Sequence, residues 1–140
     1  TAAVYVGKET GGNLWLEVYA CTGFTISDTK AISFFLQSDD AGTLGDCEAP
    51  ITTSNAGGKV GATGTNEHDA THIAADGATY GCYVLATTGD VTWVAGDLLC
   101  EIAIPETMMR LAGHTYVNLK VISTDADVSG TLDAFVVARI

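Results

Sequence analysis

The chain has 140 residues, 47% of them apolar, and sets 17 carboxylates against 6 lysines and arginines for a formal charge of −11. A chain of this size forms one domain with a real core. One so acidic is repelled by phosphate backbones, whose binding relies on Lys and Arg displacing counterions, so direct DNA or RNA binding is excluded. No run is long enough to span a bilayer, and no basic amphipathic helix is visible, so no membrane partner is expected either. Sixteen glycines and only 2 prolines suit a loop-rich all-β protein.

In chain order, residues 2–6 make a short apolar run, suited to an edge strand or an arm laid on a neighbour, and 8–12 are turn-prone. Residues 13–21 alternate with period two, Leu14, Leu16, Val18 and Ala20 facing one way and Trp15, Glu17, Tyr19 and Cys21 the other. A face with Trp and Tyr beside a carboxylate is typical of a contact surface, which makes Trp15 and Tyr19 candidate partner contacts; sandwich packing is the plainer reading of a lone Trp. Residues 24–28 read as a turn. Residues 31–38 read as the next strand, with Ile32, Phe34 and Leu36 on one face and Phe35 behind them under a loop.

Residues 39–78 differ in kind. They hold few large apolar side chains, Leu44, Ile51, Val60 and Ile73, among much glycine, alanine, threonine and asparagine. The expectation is a long loop or arm without a core of its own, carrying one short strand near 50–54 and ordered by a neighbour on which those four residues anchor.

Alternation resumes at 79–87, turns at Gly89-Asp90 and continues through Trp93. The last third adds runs at 98–104, 115–123 and 131–138, separated by Pro105, Ala112-Gly113 and a turn over 125–130. Leu132, Ala134, Val136 and Ala138 make an apolar face there, with Thr131, Asp133 and Arg139 opposite. These runs predict an all-β fold, a jelly-roll-like antiparallel β-sandwich with one long irregular excursion, as a single domain over residues 1–140.

Motifs for chemistry are weak. His68 and His72 stand four apart, which on a helix would put both rings on one face for zinc, but the metalloprotease motif needs Glu where Asp69 stands, and the neighbourhood is not strongly helical. Asp39-Asp40 with Asp46 and Glu48, and Asp125 with Asp127, lack a calcium-loop pattern. Gly57, Gly58, Gly61 and Gly64 lack the Lys-Ser ending of a phosphate loop, there is no nucleophile elbow, and His114 has no evident partner. The expectation is a protein that is not an enzyme, with no catalytic residue, no cofactor and no metal. Cys21, Cys82 and Cys100 lie in apolar runs and read as buried thiols, while Cys47 sits in a polar stretch. A start at Thr1 fits removal of methionine before a small residue or a cleaved leader, and the cysteine pattern leans to the first.

The order of segments is familiar. Leu14-Trp15-Leu16-Glu17-Val18, then Phe24-Thr25, then Ile32-Ser33-Phe34-Phe35-Leu36-Gln37-Ser38-Asp39-Asp40 resembles the front of small tailed-phage capsid cement proteins, the Bordetella-phage cement protein family in particular. The ending is similar too: the run 98–104, Pro105, Tyr116-Val117-Asn118-Leu119-Lys120-Val121, Gly130 and the run 132–138. The middle segment and the 4 cysteines depart from that pattern. The resemblance implies a jelly-roll virion protein on the outer capsid surface of a bacteriophage, made in the host cytoplasm. Its partners would be the major capsid protein, whose subunits it bridges, and other copies of itself. A different class remains open beside it, a secreted carbohydrate-binding jelly-roll module in which Trp15, Tyr19, Tyr83 and Trp93 offer stacking faces.

Overall fold

The computed structural model describes the backbone of residues 4–5, 14–39, 48–49, 54–56, 59–73, 79–104 and 115–139, with side chains at 14–37, 59–65, 83–104 and 115–139. Every regular element among them is a strand: β1 (Val4–Tyr5), β2 (Leu14–Ala20), β3 (Phe24–Ile26), β4 (Ala31–Asp39), β5 (Glu48–Ala49), β6 (Ser54–Ala56), β7 (Ala62–Ile73), β8 (Thr79–Thr87), β9 (Val91–Trp93), β10 (Leu98–Ala103), β11 (Tyr116–Ser123) and β12 (Leu132–Ala138). One sheet runs β1-β11-β4-β8-β7, with β5 also against β4; a second runs β12-β2-β10-β6; β3 and β9 form a two-stranded ribbon. The pairings are antiparallel. The pairs β2–β12, β4–β11, β6–β10 and β7–β8 are nested, each enclosing the next in sequence, so the chain is a long hairpin folded across itself.

Period-two alternation drives this architecture. Leu16 and Val18 of β2 and Ile102 of β10 face Phe34 and Leu36 of β4, Leu85 of β8 and Leu119 of β11 in one buried cluster, the filling of an antiparallel β-sandwich. On β10 the pairing with β2 shifts between Leu98 and Cys100, and this irregularity turns the consecutive residues Leu99 and Cys100 both into the core. The ribbon adds Ile26, Val91 and the stacked rings of Phe24 and Trp93, 5.4 Å apart, to the same cluster.

Three expectations change. Phe24–Ile26 is a strand in register with Val91–Trp93, and the turn begins only at residue 27. There the Asp28 N–H donates to Asp90 Oδ1 at 2.9 Å and the Gly89 N–H to Asp28 Oδ1 at 2.7 Å, which ties two loops together. Three residues are too few to show a period, so the sequence pattern passes over this strand.

The irregular excursion expected over 39–78 contains β5, β6 and β7, the last of 12 residues. Among the described residues β6 and β7 each lie at one end of their sheet. Ladder hydrogen bonds come from the backbone and need no large apolar side chains, so an edge strand as polar as ATGTNEHDATHI escapes a search for hydrophobic alternation. β7 leaves a turn at Gly61, whose φ of 87° and whose place 2.9 Å from the Thr88 carbonyl (measured from a Cβ added there) both require glycine. Leu44 and Ile51 lie outside the described residues, as does the side chain of Ile73.

The third change is Cys21, which is exposed because β2 ends at Ala20 and the thiol follows the outward face. Cys100 is buried as expected, and burial, with Glu101 adding to it, raises its thiol pKa.

Candidate functional site: the outer face of the four-stranded sheet

Alternation along β2 leaves Trp15, Glu17 and Tyr19 on the side away from the core, each half-buried. Register sets Val137, Phe135 and Asp133 of β12 beside them, and Glu101 of β10 directly opposite Glu17. Two carboxylates facing each other across a ladder repel. Arg139, just past the end of β12, resolves this: its Nη2 donates to Glu17 Oε1 at 2.7 Å and also to Glu101 Oε1. The guanidinium lies over the Trp15 ring, 4.3 Å from its centroid, a geometry that suits a planar cation on an indole face.

The other oxygen of Glu17 accepts the Tyr19 hydroxyl at 2.8 Å. Tyr19 in turn meets Phe135 edge to face, with ring centroids 6.1 Å apart, and Phe135 is 52% exposed. The hydrogen bond from Arg139, and then that from Tyr19, holds the Glu17 carboxyl below the usual carboxylate range. The same bond to Glu17 holds the Tyr19 phenol above its ordinary value. A carboxylate so fully engaged is a poor proton acceptor for catalysis. The arrangement is an aromatic and ionic platform on three paired strands.

Of the expected contact residues, Trp15 and Tyr19 are brought together here. Val60 is fully exposed at the tip of the turn before β7, in the other sheet. Sequence reasoning missed Phe135 and the role of Arg139. Phe135 breaks the polar face of β12, a signal in plain sight, whereas the Arg139 clamp depends on a register that no local pattern gives.

Other candidates resolve differently. Trp93 and Tyr83 are buried in the core, so a sugar-stacking surface built on Trp15, Tyr19, Tyr83 and Trp93 loses half its members. Asp125 is buried and its carboxylate accepts the Ser27 N–H at 2.8 Å and the Asp127 N–H at 3.1 Å, a loop brace that lowers its pKa. His68 and His72 lie on strand β7, where the helical one-face argument for zinc does not apply. Among the described residues no group of His, Cys, Asp and Glu is placed to hold a metal ion, and no helix is long and apolar enough to cross a membrane. A small cleft of about 180 Å³ opens between β11 and β12, lined by Phe24, Ile32, Val121, Val128 and Leu132.

The chain matches no protein-family model, no curated protein and no solved structure.

Proposed function

We propose that this is a virion structural protein, a capsid decoration or cement protein that binds the outer surface of an assembled bacteriophage head and stabilises it by bridging major-capsid subunits. The observation that carries the reading is the outer face of the four-stranded sheet, where Trp15, Tyr19 and Phe135 stand half-exposed on a rigid ladder around the Arg139–Glu17–Glu101 cluster. Aromatics and arginine are the residues that dominate protein contacts, because they remove much area from water at little cost in rotamer freedom. The nested pairing of strands supports the jelly-roll form that the sequence resemblance implies.

A charge of −11 favours the outside of a head over its DNA-filled interior. The mechanism is mass action: a protein that binds only the assembled lattice adds its binding free energy to the stability of that lattice. The test uses heads of the encoding phage stripped of this protein. Added back, the wild-type chain is expected to co-sediment with mature heads and raise their temperature of disruption, and Trp15→Ala with Tyr19→Ala to weaken both effects. Failure to bind heads, or saturable binding to a glycan array instead, overturns the proposal.

A further inference from the structure

We propose that β12 is the seam of a homodimer in which two copies of this chain pair edge to edge, antiparallel, about Phe135. The proposal concerns the free protein and does not depend on the capsid reading.

β12 is an end strand: among the described residues it pairs with β2 alone, in an unbroken register from Leu132 opposite Ala20 to Ala138 opposite Leu14. The Thr131 carbonyl accepts the Cys21 N–H at 2.9 Å, which fixes the phase of the ladder. Antiparallel alternation then turns the N–H and C=O groups of 133, 135 and 137 towards β2 and those of 132, 134, 136 and 138 outwards. Each outward residue offers one donor and one acceptor to whatever lies beside it. Natural sheets guard such an edge with proline, lysine, a bulge or brevity. Among the described residues the other end strands of the two sheets are guarded, β1 and β6 by having 2 and 3 residues and β7 by a polar sequence that includes Glu67, His68, Asp69 and His72. β12 reads LDAFVVA, with one charge and no proline, lysine or bulge.

A second copy fits this edge. Outward residues must pair with outward residues, and the register that overlaps the whole strand centres on Phe135. It sets Leu132 against Ala138 and Ala134 against Val136, and it sets Asp133 against Val137, so the lone carboxylate does not meet itself. Phe135 then faces Phe135 of the second copy at a non-hydrogen-bonded position, where Cα atoms approach to about 4.5 Å and side chains pack most closely. This accounts for a large aromatic left 52% exposed in the middle of a strand. The paired sheets become one continuous sheet with the two aromatic and ionic platforms side by side. Each copy carries −11, so their repulsion opposes association, and screening must relieve it.

Sedimentation of the full-length chain across concentration and salt tests the proposal. The expected result is a dimer that tightens as salt rises. Phe135→Lys sets two ammonium groups face to face and is expected to weaken the dimer about tenfold or more, while Val94→Lys, at an equally exposed valine of the β9–β10 turn, leaves it unchanged. Under mild oxidation Phe135→Cys is expected to cross-link through residue 135 beyond the level of the wild-type chain, and Val137→Cys not to cross-link with itself. A monomer at every concentration, a dimer indifferent to Phe135→Lys, equal loss with Val94→Lys, or a 137–137 cross-link in place of the 135–135 one would each overturn it. Pairing with an unrelated extended peptide while the chain alone stays monomeric would do so too.

Discussion

Phe35 on β4 and Trp15 on β2 both point away from the main core, each with a cation near its ring. Phe35 is fully buried in a second cluster with Val84, packed by Ala31 and Ile122, and the Lys120 ammonium lies 5.5 Å from its centroid. Trp15 is half-exposed, and the Arg139 guanidinium lies 4.3 Å from its centroid while pairing with two carboxylates. The outer face of the six-stranded sheet thus has a small core of its own at this point, and the outer face of the four-stranded sheet is a surface. Alternation along a strand tells which residues share a face, but cover decides whether that face is core or contact.

The largest expected effect tests this difference directly. Phe35→Ala removes a buried ring and is expected to cost about 3–5 kcal/mol of unfolding free energy, whereas Trp15→Ala removes a half-exposed one and is expected to cost about 1–2 kcal/mol. Denaturant unfolding of both variants measures it. If Trp15→Ala costs as much as Phe35→Ala, the face of the four-stranded sheet is core and the platform reading fails.

The same contrast shows what the sequence made legible. The inward rows Leu16-Val18-Ala20 and Ile32-Phe34-Leu36 announce themselves by period two, and both are buried in the sandwich. Trp15 and Tyr19 were legible as a shared outward face, because that follows from the same period. Strand β7 was not, since its stabilisation comes from backbone pairing with β8 and its side chains carry almost no hydrophobic pattern. Nor was the ion cluster: Glu17, Glu101 and Arg139 are far apart in sequence, and their meeting depends on the register of β2 with both β10 and β12. Phe24–Ile26 was hidden by brevity.

A second, smaller effect separates the kinds of cation. Arg139→Lys keeps the charge of the cluster but loses the planar stack on Trp15 and the fixed donor geometry towards the two carboxylates. Its melting temperature is expected to fall between those of the wild type and Arg139→Ala. Acid titration sharpens this. Arg139, and then Tyr19, depress the folded-state pKa of Glu17 below its ordinary 4.5. A depressed carboxylate contributes stability that is present above its unfolded value and is lost as pH falls through the folded one. In Arg139→Ala most of that contribution is missing, so stability near neutrality should fall. The acid limb should become shallower and meet that of the wild type at low pH, and adding Glu17→Gln should change the limb little further. Asp97 and Asp125 are depressed by partners of their own, Lys59 first for Asp97 and the Ser27 backbone first for Asp125, so part of the limb survives. An acid limb unchanged by Arg139→Ala would show that the cluster contributes nothing to the fold.

The smallest effect, absent at neutral pH, contrasts two tyrosines whose phenols are both raised for different reasons. Tyr19 on the outer face is raised first by donating its proton to Glu17. Tyr83 in the core is pushed up to about 12, first by burial and then by Cys100 beside it. A group whose folded pKa is raised contributes stability that is complete below the unfolded value, here 10.0, and is lost as pH rises through the folded one. Stability should therefore decline between pH 10 and about 12, and Tyr83→Phe should flatten that decline. Phenolate absorbance separates the two sites. Glu17→Gln removes the charged acceptor of Tyr19 and should let one tyrosine titrate nearer its ordinary range while the chain stays folded. Tyr83 has no such charged acceptor among the described residues and should ionise only as the sandwich opens, in step with loss of the far-ultraviolet β signal. If Tyr83 ionises in a chain that keeps its β signal, water reaches the centre of the sandwich, and the sharp division between a sealed core and an open outer face does not hold.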